Sequence, residues 1–178
     1  KGIDLDRLGI SVIPIFGIHF DVYAKLFSQS SLPKRCAIVT DGDLKPSDAL
    51  PGVDGEDNLP APPDLDALEG EYVRVFACKT TFERALVFEG TLEMFALAAD
   101  EVGAPLIAKK VRAGKIDLML AATEAEKSAI LNPLRDAVLN TAKRFGKARF
   151  AQLAARHVEH ASVLPKYLAD AAGWLMEE

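Results

Sequence analysis

Hydrophobic and polar positions divide the chain into two regimes. Residues 9–17 are apolar, β-branched and bounded by glycines, which predicts a strand buried on both faces. Residues 19–28 then place Phe20, Tyr23, Leu26 and Phe27 at helical spacing. A short apolar run, residues 36–40, predicts a second buried strand that ends on Asp41-Gly42-Asp43, and residues 72–77 predict a third. Helical character begins at Thr80. From Thr91 onward strand patterning stops, and alanine, leucine and charged residues recur at helical period. Breaks are expected near residues 103–105, Gly114, residues 132–133, Gly146 and residues 164–165, giving five or six helices.

Strands alternating with helices predict a parallel sheet, and the rest reads as a helical elaboration. The expected organisation is an α/β core over residues 1–90 and a helical region over 91–178, packed on that core. Within the first part, residues 44–70 hold five prolines, three glycines and many carboxylates, which reads as an acidic, proline-rich loop.

Composition narrows the function classes. With 178 residues, 49% hydrophobic and 26% charged, the chain is globular rather than disordered. Its formal charge of −5 excludes a uniformly basic nucleic-acid binder. The charge is uneven: residues 1–104 carry 9 Lys/Arg against 18 Asp/Glu, and residues 105–160 carry 11 against 5. An acidic half that could hold cations therefore precedes a basic half that could meet phosphate, although solubility alone also produces such faces. Cys36 and Cys78 lie in predicted strands and read as small buried hydrophobes. The most apolar early stretch contains Pro14, Gly17 and His19 and is too short to span a bilayer, so the expected setting is cytoplasmic, with no membrane partner.

Candidate chemistry lies at strand ends, where ligands gather in parallel sheets. Asp41 and Asp43 project to one side of an extended chain, and Gly42 between them leaves room for close approach. Two carboxylates so placed suit Mg²⁺ or Mn²⁺; an Asp-Gly turn is the plainer explanation. Glu83 follows the third strand, where Thr80 and Glu83 also fit a capping box that needs no metal. Lys143, Arg144, Lys147 and Arg149 form a basic cluster interleaved with Phe145 and Phe150, able to grip phosphate or simply to solvate a helix end. Lys109, Lys110, Arg112 and Lys115 read as a wet helical face. His157 and His160 match neither common zinc-helix pattern and read as a surface helix end. The phosphate-binding loop of ATPases, the nucleophile elbow and the dinucleotide fingerprint are all missing from the sequence.

Taken in order, these strings resemble the TOPRIM domain of the OLD (overcoming lysogenization defect) family of bacterial ATP-dependent nucleases. LGISVIPIFG at residues 8–17 resembles the family's second strand and VTDGD at 39–43 its D-x-D motif. KTTFE at 79–83 resembles its later acidic motif, GKARFAQ at 146–152 its distal G-K-x-x-F-A string, and LPKYL at 164–168 its closing helix. The resemblance implies a Rossmann-like TOPRIM core with a short, mostly parallel sheet, and a metal-dependent DNA endonuclease normally joined to an ABC-type ATPase domain of the same parent chain. It implies that Asp41 and Asp43 bind metal, that Glu83 completes the acidic cluster and that Lys147 neutralises charge at the scissile phosphate. Two Mg²⁺ or Mn²⁺ ions and DNA are the implied cofactors and partner; a homo-oligomer is a separate expectation, from the alanine-rich helical patterns.

The sequence departs from the family in two ways. The E-G-x-x-E motif that opens TOPRIM domains is not found before residue 8. EGTLE at 89–93 sits in a helical pattern just beyond Glu83 and is expected to be a coincidental match. No ATPase segment is present either. The chain therefore reads as a fragment one strand and one motif short, expected to be weakly active or inactive alone. Two other readings remain: a helical oligomerisation or docking module on an α/β scaffold, and another TOPRIM activity of primase or topoisomerase type.

Overall fold

The computed structural model describes residues 4–15, 19–42 and 63–177. The elements, in order, are α1 (Phe20–Ala24), β1 (Cys36–Asp41), α2 (Pro63–Asp66), β2 (Val73–Cys78), α3 (Phe82–Ala85), a 3-10 turn (Glu89–Thr91), α4 (Leu92–Glu101), α5 (Pro105–Leu120), α6 (Glu124–Phe145), α7 (Lys147–Arg156), a 3-10 turn (Val158–His160) and α8 (Lys166–Met176). The fold is mixed α/β with a helical C-terminal region, as the patterning predicts. Among the described residues, no helix is long and apolar enough to cross a membrane.

β1 and β2 pair in parallel, with Cys36 opposite Val73 and Asp41 opposite Cys78. Side chains alternate across a strand, so the two faces of this pair can be assigned. Ile38, Val73 and Val75 pack with Ala24 and Leu65 on one face, and Phe20 and Phe27 flank them. Phe76, with Ala37 and Val39 beside it, packs against Ala171 and Trp174 of α8 on the other. The last helix thus closes the sheet. Arg35 fastens it by donating to Trp174 O at 2.7 Å, and Arg74 stacks its guanidinium 5.3 Å from the Trp174 ring centroid. Cys78 is buried and Cys36 is half-buried, both as free thiols.

The helical region has its own core. Leu92, Val111, Leu118, Leu131, Leu134 and Val138 from α4, α5 and α6 meet there with Phe150 of α7. Burying each such side chain stabilises the fold by about 1.5–3 kcal/mol. Thr123 and Glu126 form a reciprocal capping box at the start of α6: the Glu126 N–H donates to Thr123 Oγ1, and Glu126 Oε2 accepts from the Thr123 N–H at 3.0 Å.

Three expectations are corrected. Residues 10–15 form no strand, and Val12 and Ile13 are 77% and 66% exposed. An apolar β-branched run becomes a strand only against a ladder partner, and among the described residues none runs beside it. Preceding turns, with Gly9 at φ +67° and the Ile10 N–H donating to Leu5 O at 2.9 Å, shape that segment instead. Gly114 does not break a helix. It lies inside α5 where α6 crosses, and a Cβ there would stand 2.5 Å from Leu134 Cδ1. Residues 132–133 do not end a helix either, since α6 runs through Pro133. A proline in a helix forfeits one N–H bond and crowds the preceding turn. Here α6 continues because Leu131 and Leu134 on both sides of it are held in the core. The break that does occur, at residues 121–123, is marked by the Thr123 cap. Breaks at residues 103–105, Gly146 and residues 164–165 fall where expected. Of the acidic loop, residues 44–62 lie outside the described residues, as does Asp43.

Candidate functional site

The site is built at the carboxyl edge of the sheet. Asp41 is the last residue of β1, half-buried, and strand alternation puts it on the face of Ala37 and Val39. Its register partner Cys78 ends β2 on that same face, packed with Ala85 of α3 and Tyr167 of α8. The chain leaves β2 through residues 79–81, with Thr81 extended at φ −89°, ψ 152°, and enters α3. Thr81 rather than Thr80 is the residue before the helix, and the Thr81 side chain makes no capping bond.

Opposed anchors hold α3. Ala85 is fully buried beneath Tyr167, and Phe82 meets the Tyr167 ring edge-on at 5.9 Å between centroids. Arg84, 4% exposed, reaches the other way and pairs with Asp136 of α6. Glu83, between Phe82 and Arg84, keeps its carboxylate partly in solvent at the sheet edge.

α7 brings the basic string to this carboxylate. Gly146 at φ +94° allows α6 to end and α7 to begin without a linker, in a conformation that disfavours any side chain. Phe150 stacks on Phe95 at 6.2 Å with an interplanar angle of 11°, which fixes the helix against α4. Lys147, the first residue of α7, then places Nζ 2.7 Å from Glu83 Oε1. Burial pushes the Glu83 carboxyl up, but the Lys147 ammonium and Glu83's own backbone N–H together hold it below the ordinary carboxylate range. A cation in the first turn of a helix is disfavoured by the helix dipole by about 0.3–1 kcal/mol; Glu83 offsets this at Lys147.

Lys143, Arg144 and Arg149 are all exposed around the same bend. Lys143 and Arg144 occupy the last turn of α6, where the dipole favours them, and Arg144 lies 5.4 Å from the Phe145 ring centroid. Of the residues singled out from the sequence, Glu83 and Lys147 are in contact, Asp41 ends β1, and Lys143, Arg144 and Arg149 are exposed neighbours of Lys147 along the chain. Asp43 lies outside the described residues.

Other candidates are absorbed by packing. Glu93 of the EGTLE string accepts from Lys115 Nζ at 3.1 Å and lies 3.4 Å from Arg112 Nε; Arg112 also pairs with Asp100 at 2.7 Å. These contacts bind α4 to α5, so this string and part of the second basic cluster have structural work. Two features escaped sequence reasoning. Nothing marks Arg84 and Asp136 as partners, because they are far apart in the chain. His157 and His160 come together in a 3-10 turn, which the helical period alone does not suggest.

Asp41 and Glu83 each offer carboxylate oxygens of the kind that hard divalent cations take, and the Glu83 carboxyl is held below its ordinary range. No curated protein and no solved structure gives a significant match to the chain. The model of the family described as Overcoming lysogenization defect protein-like, TOPRIM domain, matches residues 1–43, a segment that ends with the D-x-D string and stops before Glu83 and Lys147. That match makes residues 1–43 similar to part of an OLD-like TOPRIM domain, in keeping with the resemblance carried by the sequence motifs.

Proposed function

We propose that this chain is the catalytic part of a metal-dependent DNA endonuclease. The observation that carries the reading is the 2.7 Å contact between Lys147 and Glu83, which joins the distal basic string to the acidic sheet edge. In this reading Asp41, Asp43 and Glu83 hold Mg²⁺ or Mn²⁺, with two ions in the complete domain. When bound, such ions polarise phosphoryl oxygens and lower the pKa of an attacking water. The chain's own residues do the rest. Lys147 moves from Glu83 onto a non-bridging oxygen of the scissile phosphate and neutralises charge that builds there. Lys143, Arg144 and Arg149 take flanking phosphates, which sets the register of the duplex without reading sequence. The local positive charge at the α6–α7 bend answers the objection that the whole chain is acidic.

The partners that follow are DNA and an ATPase domain of the same parent chain, with a cytoplasmic setting. The test is nicking of supercoiled plasmid in Mn²⁺ by the parent protein that carries this chain. Loss of nicking in Asp41→Ala/Asp43→Ala supports the assignment, and unchanged nicking overturns it.

A second reading is a helical association module. It is favoured by one observation: Leu106, Ile116, Met119 and Leu120 of α5 are 60–80% exposed. Light scattering after size exclusion decides this, because a strict monomer at high concentration removes it.

A further inference from the structure

Two of the chain's three histidines, His157 and His160, meet in one turn at the far end of α7 from Lys147. Ten helical residues separate the two ends, about 15 Å at the usual rise. We propose that His157, Glu159 and His160 form a separate site for a borderline transition-metal ion of the Zn²⁺ class. The inference stands on this turn alone and does not depend on the nuclease reading.

The turn's geometry brings the donors together. A 3-10 helix has three residues per turn, so positions i and i+3 lie one above the other. The His160 N–H donates to His157 O at 3.0 Å, closing that turn and setting the two imidazoles with centroids 6.2 Å apart and planes tilted by 50°. Nitrogens from both rings and a Glu159 oxygen lie within 4.8 Å of one another. Around a tetrahedral ion with bonds of about 2.0–2.1 Å, donors stand roughly 3.3 Å apart. The closure required is on the order of 1.5 Å, within reach of rotamer changes in the exposed Glu159 and His160 side chains.

The backbone under the donors is fixed. Ala161 is buried, and the Ser162 N–H donates to Gly90 O at 2.7 Å. Gly90 permits this approach, since a Cβ there would stand 2.8 Å from Ser162 Oγ and from Val163 Cγ2. A carboxylate also orients one ring. Glu101 of α4 lies with Oε2 3.0 Å from His157 Nε2. In the neutral ring, a carboxylate accepting at Nε2 selects the tautomer that carries its proton there and leaves the Nδ1 lone pair for a metal. This is the carboxylate–histidine arrangement that supports metal ligands. Arg156, the nearby cation, is paired with the other oxygen of Glu101, which lessens its repulsion of an incoming ion.

Two imidazoles and one carboxylate select Zn²⁺, Co²⁺ or Ni²⁺ over Mg²⁺, and three protein donors leave a coordination position for water. The bound ion would tie the C-terminal end of α7 to α4 through Glu101.

The test is a titration of the chelator-treated intact protein with Co²⁺, read by visible absorption and reversed with Zn²⁺. The proposal expects a saturable band at a single equivalent, abolished in His157→Ala/His160→Ala and weakened at least 10-fold in affinity by His160→Ala alone. Glu101→Gln weakens it about 10-fold. Asp41→Asn/Asp43→Asn leaves the band in place. The proposal is overturned if the wild-type protein shows no saturable band. It is equally overturned if the band survives in His157→Ala/His160→Ala, or disappears in Asp41→Asn/Asp43→Asn. His160 is exposed and its truncation removes no core contact, so the single variant reports on binding even if the double variant folds poorly.

Discussion

Lys147 Nζ lies 2.7 Å from Glu83 Oε1, at the meeting of α7 and α3. Both side chains remain wet, 52% and 30% exposed, so the pair contributes little to folding despite its short distance. A double-mutant cycle with Lys147→Met and Glu83→Gln, read by urea denaturation, is expected to give a coupling below about 1 kcal/mol. A coupling of about 3 kcal/mol or more would make the contact a structural clasp and remove its value as evidence for a site.

Acid should weaken the bond between α4 and α5. Burial pushes the Glu93 carboxyl up, but Lys115 and Arg112 more than reverse this and leave it below the ordinary range. A group whose folded pKa is depressed stabilises the fold above its unfolded pKa, about 4.3. That contribution fades as pH falls through the lower folded value. Glu93→Gln should therefore lower the denaturation midpoint at about pH 7 and converge on wild type at about pH 3. Parallel curves at both pH values would contradict this.

Asp136→Ala removes the partner of a guanidinium that is 95% buried by side chain, whereas Asp136 itself is 60% exposed. The cost comes from stranding Arg84, and is expected at about 1–3 kcal/mol. Arg84→Met/Asp136→Ala should recover most of it, because a buried pair replaced by apolar atoms is often neutral. Chemical denaturation of both variants checks this, and a double variant no more stable than Asp136→Ala would count against it.

Gly114→Ala should destabilise by about 1–3 kcal/mol, because the new methyl meets Leu134 Cδ1 at 2.5 Å in a packed crossing. Adding Leu134→Val should restore part of the loss. A Gly114→Ala protein as stable as wild type would show that α5 and α6 cross more loosely than described.

The elements that local chemistry determines were legible in the sequence. β1 and β2 could be read because buried parallel strands are short apolar runs ending in turn residues, and Gly146 because a positive φ needs glycine. Gly114 and Pro133 misled for the opposite reason. Their meaning depends on what crosses α5 and α6, a tertiary fact that local propensity does not contain. Val12 and Ile13 show the same limit, since β-branched residues make a strand only where another strand receives them. At the candidate site, Asp41 and Glu83 were legible from their positions at strand ends, and Lys147 from the glycine before it. The Arg84–Asp136 pair was not, because it joins helices whose packing no single segment encodes. His157 and His160 were visible as residues, but their juxtaposition depends on a 3-10 turn rather than an α-helical one.

The central claim is that the acidic edge and the α6–α7 bend act as one metal-dependent site. Plasmid nicking across a Mn²⁺ titration, comparing wild type, Glu83→Gln and Lys147→Met, tests it most directly. Wherever the wild-type protein nicks DNA, both variants should lose rate by about 10²-fold or more. The Mn²⁺ concentration for half-maximal rate should rise only for Glu83→Gln. A Lys147→Met protein that nicks at the wild-type rate would contradict the account.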